Sequence, residues 1–177
     1  MLLNIGVSRV YRFFFYFIGI QLILFAIAQS NNVHINIIIP FTEMIAHISV
    51  WIVKFFDDNV ISQGVILQQA ETGFSVSIQS GCNGVEAVLV LIAAMLAFPS
   101  PWKFKLWGIV TGFFAVELLN IVRIISLFYL GQWNQDIFEW AHLYIWQALI
   151  MLDVLIIFLL WLRLLPAKQA GTDNYAS

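Results

Sequence analysis

Four long apolar runs constrain this chain more than any other feature. They cover approximately residues 13–28, 85–98, 106–130 and 138–162. Such runs approach or exceed the roughly 20 residues that an α-helix needs to cross the hydrocarbon core of a bilayer. Hydrophobic residues make up 62% of the sequence and charged residues 10%, against about 25% charged in a soluble domain. The sequence therefore predicts an α-helical integral membrane protein, a four-span helical bundle.

Two segments between the first and second runs are predicted to lie outside the bilayer. Residues 37–56 carry Glu43 and His47 four residues apart, on one side of a helix, and this polar stripe favours an interfacial helix. Within residues 60–79, apolar and polar residues alternate after a turn at Gly73, which predicts a short β-hairpin. The expected architecture is a four-span bundle with an external interfacial helix and a hairpin.

The basic residues predict the orientation. With a cytoplasmic N-terminus, six of the eight Lys and Arg residues fall on the cytoplasmic side, as is typical of membrane proteins. Lys54 and Arg123 fall outside or at the outer boundary. We expect a single domain over residues 1–168, followed by a flexible polar tail at 169–177. The six cytoplasmic residues are Arg9, Arg12, Lys103, Lys105, Arg163 and Lys168.

The only cysteine stands at the start of the second apolar run. Cys82 follows Gly81 and precedes Asn83 and Gly84. A buried free cysteine is usually inert, but a helix that begins just after Cys82 directs its positive N-terminal end at the sulfur. Together with a nearby Arg123, this arrangement predicts a thiol pKa below the ordinary value and a reactive sulfur.

The predicted topology brings two further residues to the face that carries Cys82. Arg123 lies near the outer end of the third run, and His142 lies near the outer start of the fourth. Glu117, Asn120 and Arg123 are each three residues apart, so they share a helix face that should point into the bundle. A histidine beside a thiol can move protons, and an arginine can stabilise a thiolate or an oxyanion.

Other chemistries are less well supported. Glu86 follows Cys82 by four residues and could support the site, whereas Asp153 is interpreted as a contact between helices. One thiol and one histidine fall short of the usual number of metal ligands, so no metal is predicted. The net charge of −2 gives no basic surface for nucleic acid.

These residues resemble the exosortase/archaeosortase family. The resemblance rests on Cys82-Asn83-Gly84 at the opening of an apolar helix, on Asn120-x-x-Arg123 near the end of the next helix, and on His142 at the start of the last. It covers residues 79–161, the core of the family, and is greatest to the compact exosortase H group. Asn83 departs from the serine that the family commonly has, and the additional N-terminal spans of many members are lacking.

The resemblance implies a membrane-embedded cysteine peptidase or transpeptidase without a cofactor. It would cleave the C-terminal sorting signal of exported proteins at the outer face of the membrane and transfer these proteins to an acceptor. Cys82 would be the nucleophile, Arg123 the stabiliser of the oxyanion or thiolate, and His142 the proton-transfer residue. The supporting residues would be Asn83, Gly84, Glu86 and Asn120.

The resemblance also implies partners and a location. The substrates would end in a short motif, an apolar helix and a basic tail, and the enzyme would lie in the bacterial inner membrane with its site facing the periplasm. Two alternatives remain open: a small transporter or channel that uses Glu117, Asn120 and Arg123 as a polar pathway, and a non-catalytic assembly protein. Both would function without Cys82.

Overall fold

A computed structural model describes the backbone from Leu2 to Leu165 and the side chains from Val10 onward. Lys168, the predicted end of the domain and the predicted polar tail lie outside the described residues. The helices are α1 (Leu2–Ala28), α2 (Asn31–Val33), α3 (Ile39–Val53), α4 (Val85–Ala97), α5 (Trp102–Trp133), α6 (Gln135–Trp140) and α7 (Trp146–Arg163). Two π-helical turns, His34–Ile38 and Ala141–Ile145, join α2 to α3 and α6 to α7.

Within Leu2–Leu165, four helical segments are long and apolar enough to cross a membrane. They are Val10–Ala28, Asn31–Val53, Trp102–Trp133 and Gln135–Arg163. The predicted fold class, a helical membrane bundle with a small antiparallel sheet, is confirmed. The membership of the four differs from the prediction, because Asn31–Val53 includes most of the predicted interfacial helix and α4, a predicted span, has only 13 residues.

Two hydroxyl side chains of α3 form hydrogen bonds within the helix itself. Thr42 and Ser49 are buried, and their hydroxyls donate to the carbonyl oxygens of Ile38 and Ile45, each at 2.8 Å. A hydroxyl that bonds back to its own helix does not need water. These two hydroxyls therefore need no water, whereas His47 of the predicted polar stripe is exposed and its Nδ1 lies 2.8 Å from Ser62 Oγ of the sheet.

Backbone conformation sets both ends of α4. Gly84 precedes it with a φ of 81°, a left-handed conformation that glycine adopts readily. Phe98 follows it in an extended conformation because Pro99 disfavours the helical region for the residue before it. The apolar helix is therefore confined to Val85–Ala97, about 20 Å long.

α4 lies at the centre of the bundle, where it packs against α1, α5 and α7. Leu91 and Met95 of α4, Val116 of α5, and Val154 and Trp161 of α7 form part of one buried apolar cluster. Because lipid tails are as apolar as these side chains, close packing of the helices favours this contact, and removal from water contributes little. This packing holds α4, and the segment that precedes it, in a fixed position.

A second apolar cluster joins α3, the sheet and the C-terminal half of α5. Ile45 and Val50 of α3 pack with Leu67 of the sheet and with Ile124 and Phe128 of α5. Near the start of α3, the ring of Phe41 lies 6.0 Å from that of Phe113 of α5, measured between the centroids. The sheet therefore rests on the part of α5 that extends beyond α4.

The sheet has three antiparallel strands in the order β1-β2-β3. They are β1 (Val60–Gln63), β2 (Ile66–Gln69) and β3 (Ser75–Ser77). The predicted hairpin corresponds to β2 and β3, and β1 adds a third strand that packs with β2 against α3. The sheet leads the chain directly into the segment that carries Cys82.

Helix α5 fixes the depth of Arg123 relative to the basic end of the bundle. Lys105 lies near the start of α5 and donates to the carbonyl oxygen of Leu96 at 2.7 Å, close to the end of α4. Arg123 lies about 27 Å farther along the same helix at 1.5 Å per residue. The rise of α5 between Lys105 and Arg123 is therefore close to the thickness of the hydrocarbon core, about 30 Å.

Candidate active site

The structure brings together the three residues that the sequence predicts as catalytic. The Cys82 Sγ lies 3.7 Å from His142 Nε2. On another side, Arg123 Nη2 donates to the same sulfur at 3.6 Å. Both distances allow weak hydrogen bonds to sulfur. Residues that are far apart in sequence therefore meet at one atom, because α5 and the α6–α7 segment pack beside the start of α4.

A short non-helical segment presents the Cys82 thiol. The Cys82 N–H donates to the carbonyl oxygen of Gln79 at 2.9 Å, which closes a tight turn. Gly81 has a φ of 86°, and its N–H donates to Glu86 Oε1 at 2.9 Å. Glu86 thus ties the segment to the first turn of α4, which is a positioning contact near the thiol.

Asn83 anchors the other side of Cys82 to two helices. Its Nδ2 donates to Thr42 Oγ1 of α3 at 3.0 Å, and its Oδ1 accepts the Val85 N–H at 3.2 Å. Asn83 is only 1% exposed, so both bonds are removed from water. Its amide supplies a donor to α3 as well as an acceptor for the start of α4.

The predicted polar face of α5 is buried against this segment. Glu117, Asn120 and Arg123 are all buried, and Asn120 Nδ2 donates to Glu117 Oε2 at 3.4 Å. Gly84 lies against both Glu117 and Asn120. Irregular backbone at membrane depth is tolerated where it lies against protein or a wet cavity, and this polar face provides such a surface.

Arg123 has capacity for further hydrogen bonds. Its side chain is 1% exposed, and its Nε and Nη1 have no partner among the described residues. A buried guanidinium without an anion is costly, and its five N–H groups form a fixed fork suited to oxygen ligands. Arg123 therefore has donors available for an incoming oxygen.

His142 lies in the π-helical turn between α6 and α7. Its ring stacks on Phe138, with centroids 5.7 Å apart and an interplanar angle of 25°. Nδ1 is buried and has no partner among the described residues. π-Helical turns are frequent at functional sites, and here the turn holds the imidazole beside the thiol.

The thiol pKa differs from the sequence prediction. Burial raises the pKa of the Cys82 thiol above its ordinary value. The Arg123 guanidinium opposes this rise, whereas the Glu86 carboxylate adds to it. The predicted lowering is wrong, because desolvation of the sulfur outweighs the attraction of the arginine. Burial therefore favours the neutral thiol over the thiolate in the resting site.

A cavity of about 50 Å³ opens beside the thiol, with room for water. Residues of strand β3 and helix α6 line this cavity. The sequence did not indicate that these two elements border the site. The only sequence signal was that the hairpin leads directly into Cys82. The lining residues are Val76, Ser77, Ile78, Cys82, Arg123, Ile124, Leu127, Phe138 and His142.

Two further observations limit the chemistry of the site. Asp153 does not line the cavity and lies about 16 Å along the helix axis from His142. Within Leu2–Leu165, no three His, Cys, Asp or Glu side chains are grouped as metal ligands would be. The site consists of a thiol, an imidazole and a guanidinium.

Comparison with known proteins is consistent with this geometry. The family model described as transmembrane exosortase matches residues 1–162, whereas the motifs noted in the sequence cover residues 79–161. No curated protein and no solved structure matches the chain. The predicted family is confirmed over nearly the whole length: the chain belongs to the transmembrane exosortase family.

Proposed function

We propose that this exosortase cleaves exported proteins through a thioester on Cys82 and transfers them to an acceptor. Family membership gives the chain a membrane transpeptidase-type role in general. One observation carries the specific mechanism: the Cys82 sulfur contacts an imidazole nitrogen and a guanidinium nitrogen at 3.7 and 3.6 Å. A nucleophilic sulfur that contacts both a base and a cation is suited to acyl transfer.

The first step is attack on the scissile peptide bond. His142 Nε2 takes the thiol proton, and the Cys82 sulfur forms a bond to the carbonyl carbon of the substrate. The carbonyl oxygen becomes an oxyanion. Because burial raises the thiol pKa, little thiolate exists beforehand, so the reaction needs a base beside the sulfur.

Arg123 stabilises the oxyanion. Its Nε and Nη1 have no partner among the described residues, although the side chain is buried. These donors are fixed before the reaction, and preorganised donors contribute most where water is excluded. Nη2 remains close to the sulfur and offsets its developing negative charge.

The intermediate then collapses to a thioester. The peptide C–N bond breaks, and protonated His142 returns its proton to the leaving amine of the C-terminal fragment. An acceptor amine, an acceptor hydroxyl or water next attacks the thioester and gives its proton to His142. The C–S bond breaks, and the proton finally returns to the Cys82 sulfur.

The substrate we propose is an exported protein with a C-terminal sorting signal. The signal comprises a short motif, an apolar helix and a basic tail. Such a helix would lie in the same bilayer, with its basic tail level with Lys105 at one boundary. The motif would then lie level with Arg123, about 27 Å farther along α5, at the opposite boundary. We place that boundary at the periplasmic face of a bacterial inner membrane, in accordance with the distribution of basic residues.

The experiment is to express the wild-type chain, Cys82→Ala or Cys82→Ser with a co-encoded exported protein that carries such a signal. We expect the wild type to release the cleaved protein and both variants to leave an uncleaved, membrane-anchored precursor. A wild-type complex of the two proteins that neutral hydroxylamine separates would identify the thioester. Processing at the normal rate by Cys82→Ala would contradict the proposal.

A further inference from the structure

Strand β3 has a free edge beside the thiol. β2 lies on one side of β3, and the sheet ends on the other side. The register pairs Leu67 with Val76 and Ile66 with Ser77. The N–H of Gln69 donates to Phe74 O at 2.8 Å, and the N–H of Ile78 donates to Val65 O at 2.9 Å.

This register determines which backbone groups point outward. In an antiparallel ladder, alternate residues direct both backbone groups toward the partner strand. Phe74, Val76 and Ile78 face β2, so Ser75 and Ser77 direct their N–H and C=O groups away from it. Among the described residues, these outward groups have no hydrogen-bond partner.

The free edge is part of the reaction cavity. Val76, Ser77 and Ile78 line the cavity together with Cys82 and His142. After β3, the turn closed by the Cys82 N–H leads the chain to the nucleophile. An unpaired edge is normally a liability that proteins cover or interrupt. Here it borders the place where a peptide bond would have to be held.

We infer that the substrate docks on this edge in an extended conformation, as a short fourth strand paired with Ser75 and Ser77. The inference rests on the proposed function, because it assigns the binding mode of the same substrate. An extended polypeptide repeats its donors and acceptors every second residue, with the same spacing as Ser75 and Ser77. Strand addition of this kind takes affinity from the backbone and specificity from alternate side chains.

Docking on β3 has consequences for recognition. The bound segment would carry its scissile carbonyl from the Ser77 end of the strand toward Cys82 and the donors of Arg123. Alternate side chains of the segment would face the cavity. A recognition motif read in this way would constrain every second residue more strongly than its neighbours.

The test uses electrophilic peptides that alkylate Cys82 in the full-length protein in membranes. One probe is a pool of tetrapeptidyl chloromethyl ketones with mixed side chains, and the other carries a single residue. We expect the tetrapeptide pool to label Cys82 at least about tenfold faster, as additional backbone hydrogen bonds would allow. Labelling rates that do not depend on probe length would overturn the inference.

A proline substitution removes one edge donor. Ser77→Pro deletes an N–H that does not pair with β2, and proline is tolerated where the N–H of an edge strand points outward. The ratio of tetrapeptide to single-residue labelling should fall at least about threefold. The ratio corrects for any change in the reactivity of the thiol itself.

Ser62→Pro is the matched control on the opposite edge. Because the Ala70 N–H donates to Asn59 O, the alternation directs the backbone of Ser62 away from β2. This substitution also removes a 2.8 Å contact between Ser62 Oγ and His47 Nδ1, and neither residue lines the cavity. The labelling ratio should be unchanged in Ser62→Pro. A ratio that falls in Ser62→Pro but not in Ser77→Pro would overturn the inference.

Two further measurements complete the test. A backbone N-methylated tetrapeptide probe should lose its advantage on the unmodified protein. It lacks the N–H groups that would donate to the outward carbonyl oxygens of Ser75 and Ser77, so it tests the complementary bonds without any risk of misfolding. A cross-linked dimer formed through Ser75→Cys in a Cys82→Ala background would place a second copy at this edge and overturn the inference. Length-dependent labelling can persist in a protein that never processes a precursor, so failure of edge docking and failure of the proposed function are distinguishable.

Discussion

Gly84 and Glu117 approach each other so closely that a Cβ at residue 84 would lie 2.6 Å from Glu117 Oε1. Gly84 also has a φ of 81°, a conformation that favours glycine, and an added Cβ would require the ends of the buried Glu117 and Asn120 side chains to shift. Glu117 belongs to α5, which also carries Arg123. The contact therefore joins the segment that carries Cys82 to the helix that carries the guanidinium.

Replacement of Gly84 should disrupt the site. In Gly84→Ala, the new methyl group would displace Glu117 or Asn120 Nδ2, which would be only 3.0 Å away. The left-handed conformation adds about 1–2 kcal/mol of strain. We expect the loss of most precursor processing, together with a lower thermal stability in detergent.

Gly81→Ala provides the matched control. Gly81 has a similar φ of 86°, but nothing lies within 4 Å of its Cβ position. This variant bears the conformational strain without the collision, so it should retain more processing than Gly84→Ala. Equal losses in the two variants would show that strain alone matters and that the contact with Glu117 does not position the site.

The reactivity of the thiol should follow its local charges. Burial raises the pKa of Cys82, the charge of Arg123 lowers it, and the charge of Glu86 raises it further. Alkylation by iodoacetamide should therefore increase with pH, to a midpoint above that of a free thiol, about 8.5. Glu86→Gln keeps an oxygen acceptor for the Gly81 N–H but removes the negative charge. It should lower the midpoint, and a higher midpoint would contradict this account of the charges.

Asn83 and Thr42 should be energetically coupled. The bond between Asn83 Nδ2 and Thr42 Oγ1 is 3.0 Å long and buried. Asn83→Ala and Thr42→Val should each lower the free energy of unfolding by about 1–3 kcal/mol, because each leaves a buried group unpaired. The double variant should lose less than the sum. Thermal unfolding in detergent, followed by circular dichroism, measures this, and strict additivity would exclude the coupling.

The sequence predicted the elements that depend on long apolar runs. The alternation of those runs was sufficient to place Cys82, Arg123 and His142 at one end of the bundle. Each of these residues lies at the boundary of an apolar segment, where a polar residue is conspicuous. The constellation was therefore visible without knowledge of any contact.

Long-range packing produced the features that the sequence could not give. No sequence pattern indicates that the Thr42 hydroxyl bonds within its own helix and accepts from Asn83. The π-helical turn around His142 has no sequence signature. The helix N-terminus and Arg123 led to the prediction of a lowered thiol pKa. Burial of the sulfur instead raises the pKa, and no local sequence pattern indicates that burial.

The orientation of the chain is testable with reporters. A reporter fused after Ser177 should report the cytoplasm, and one inserted near Gly73, in the exposed turn between β2 and β3, should report the outside. The reason is that this orientation places six of the eight Lys and Arg residues on the cytoplasmic side. Alkaline phosphatase and a cytoplasmic fluorescent protein give opposite signals for the two sides. The reverse pattern would place the site at the cytoplasmic face.

Arg123 should act through its shape as well as its charge. Arg123→Lys keeps a cation but loses the planar fork, whereas Arg123→Met removes both the charge and the donors. If Nε and Nη1 bind the oxyanion, both variants should reduce processing by about 10²–10³-fold, the cost of losing an oxyanion donor. Alkylation of Cys82 at neutral pH should separate them, because it depends on the nearby charge and should fall less in Arg123→Lys than in Arg123→Met. Processing by Arg123→Lys close to the wild-type rate would mean that charge alone suffices and would remove the oxyanion role from the guanidinium.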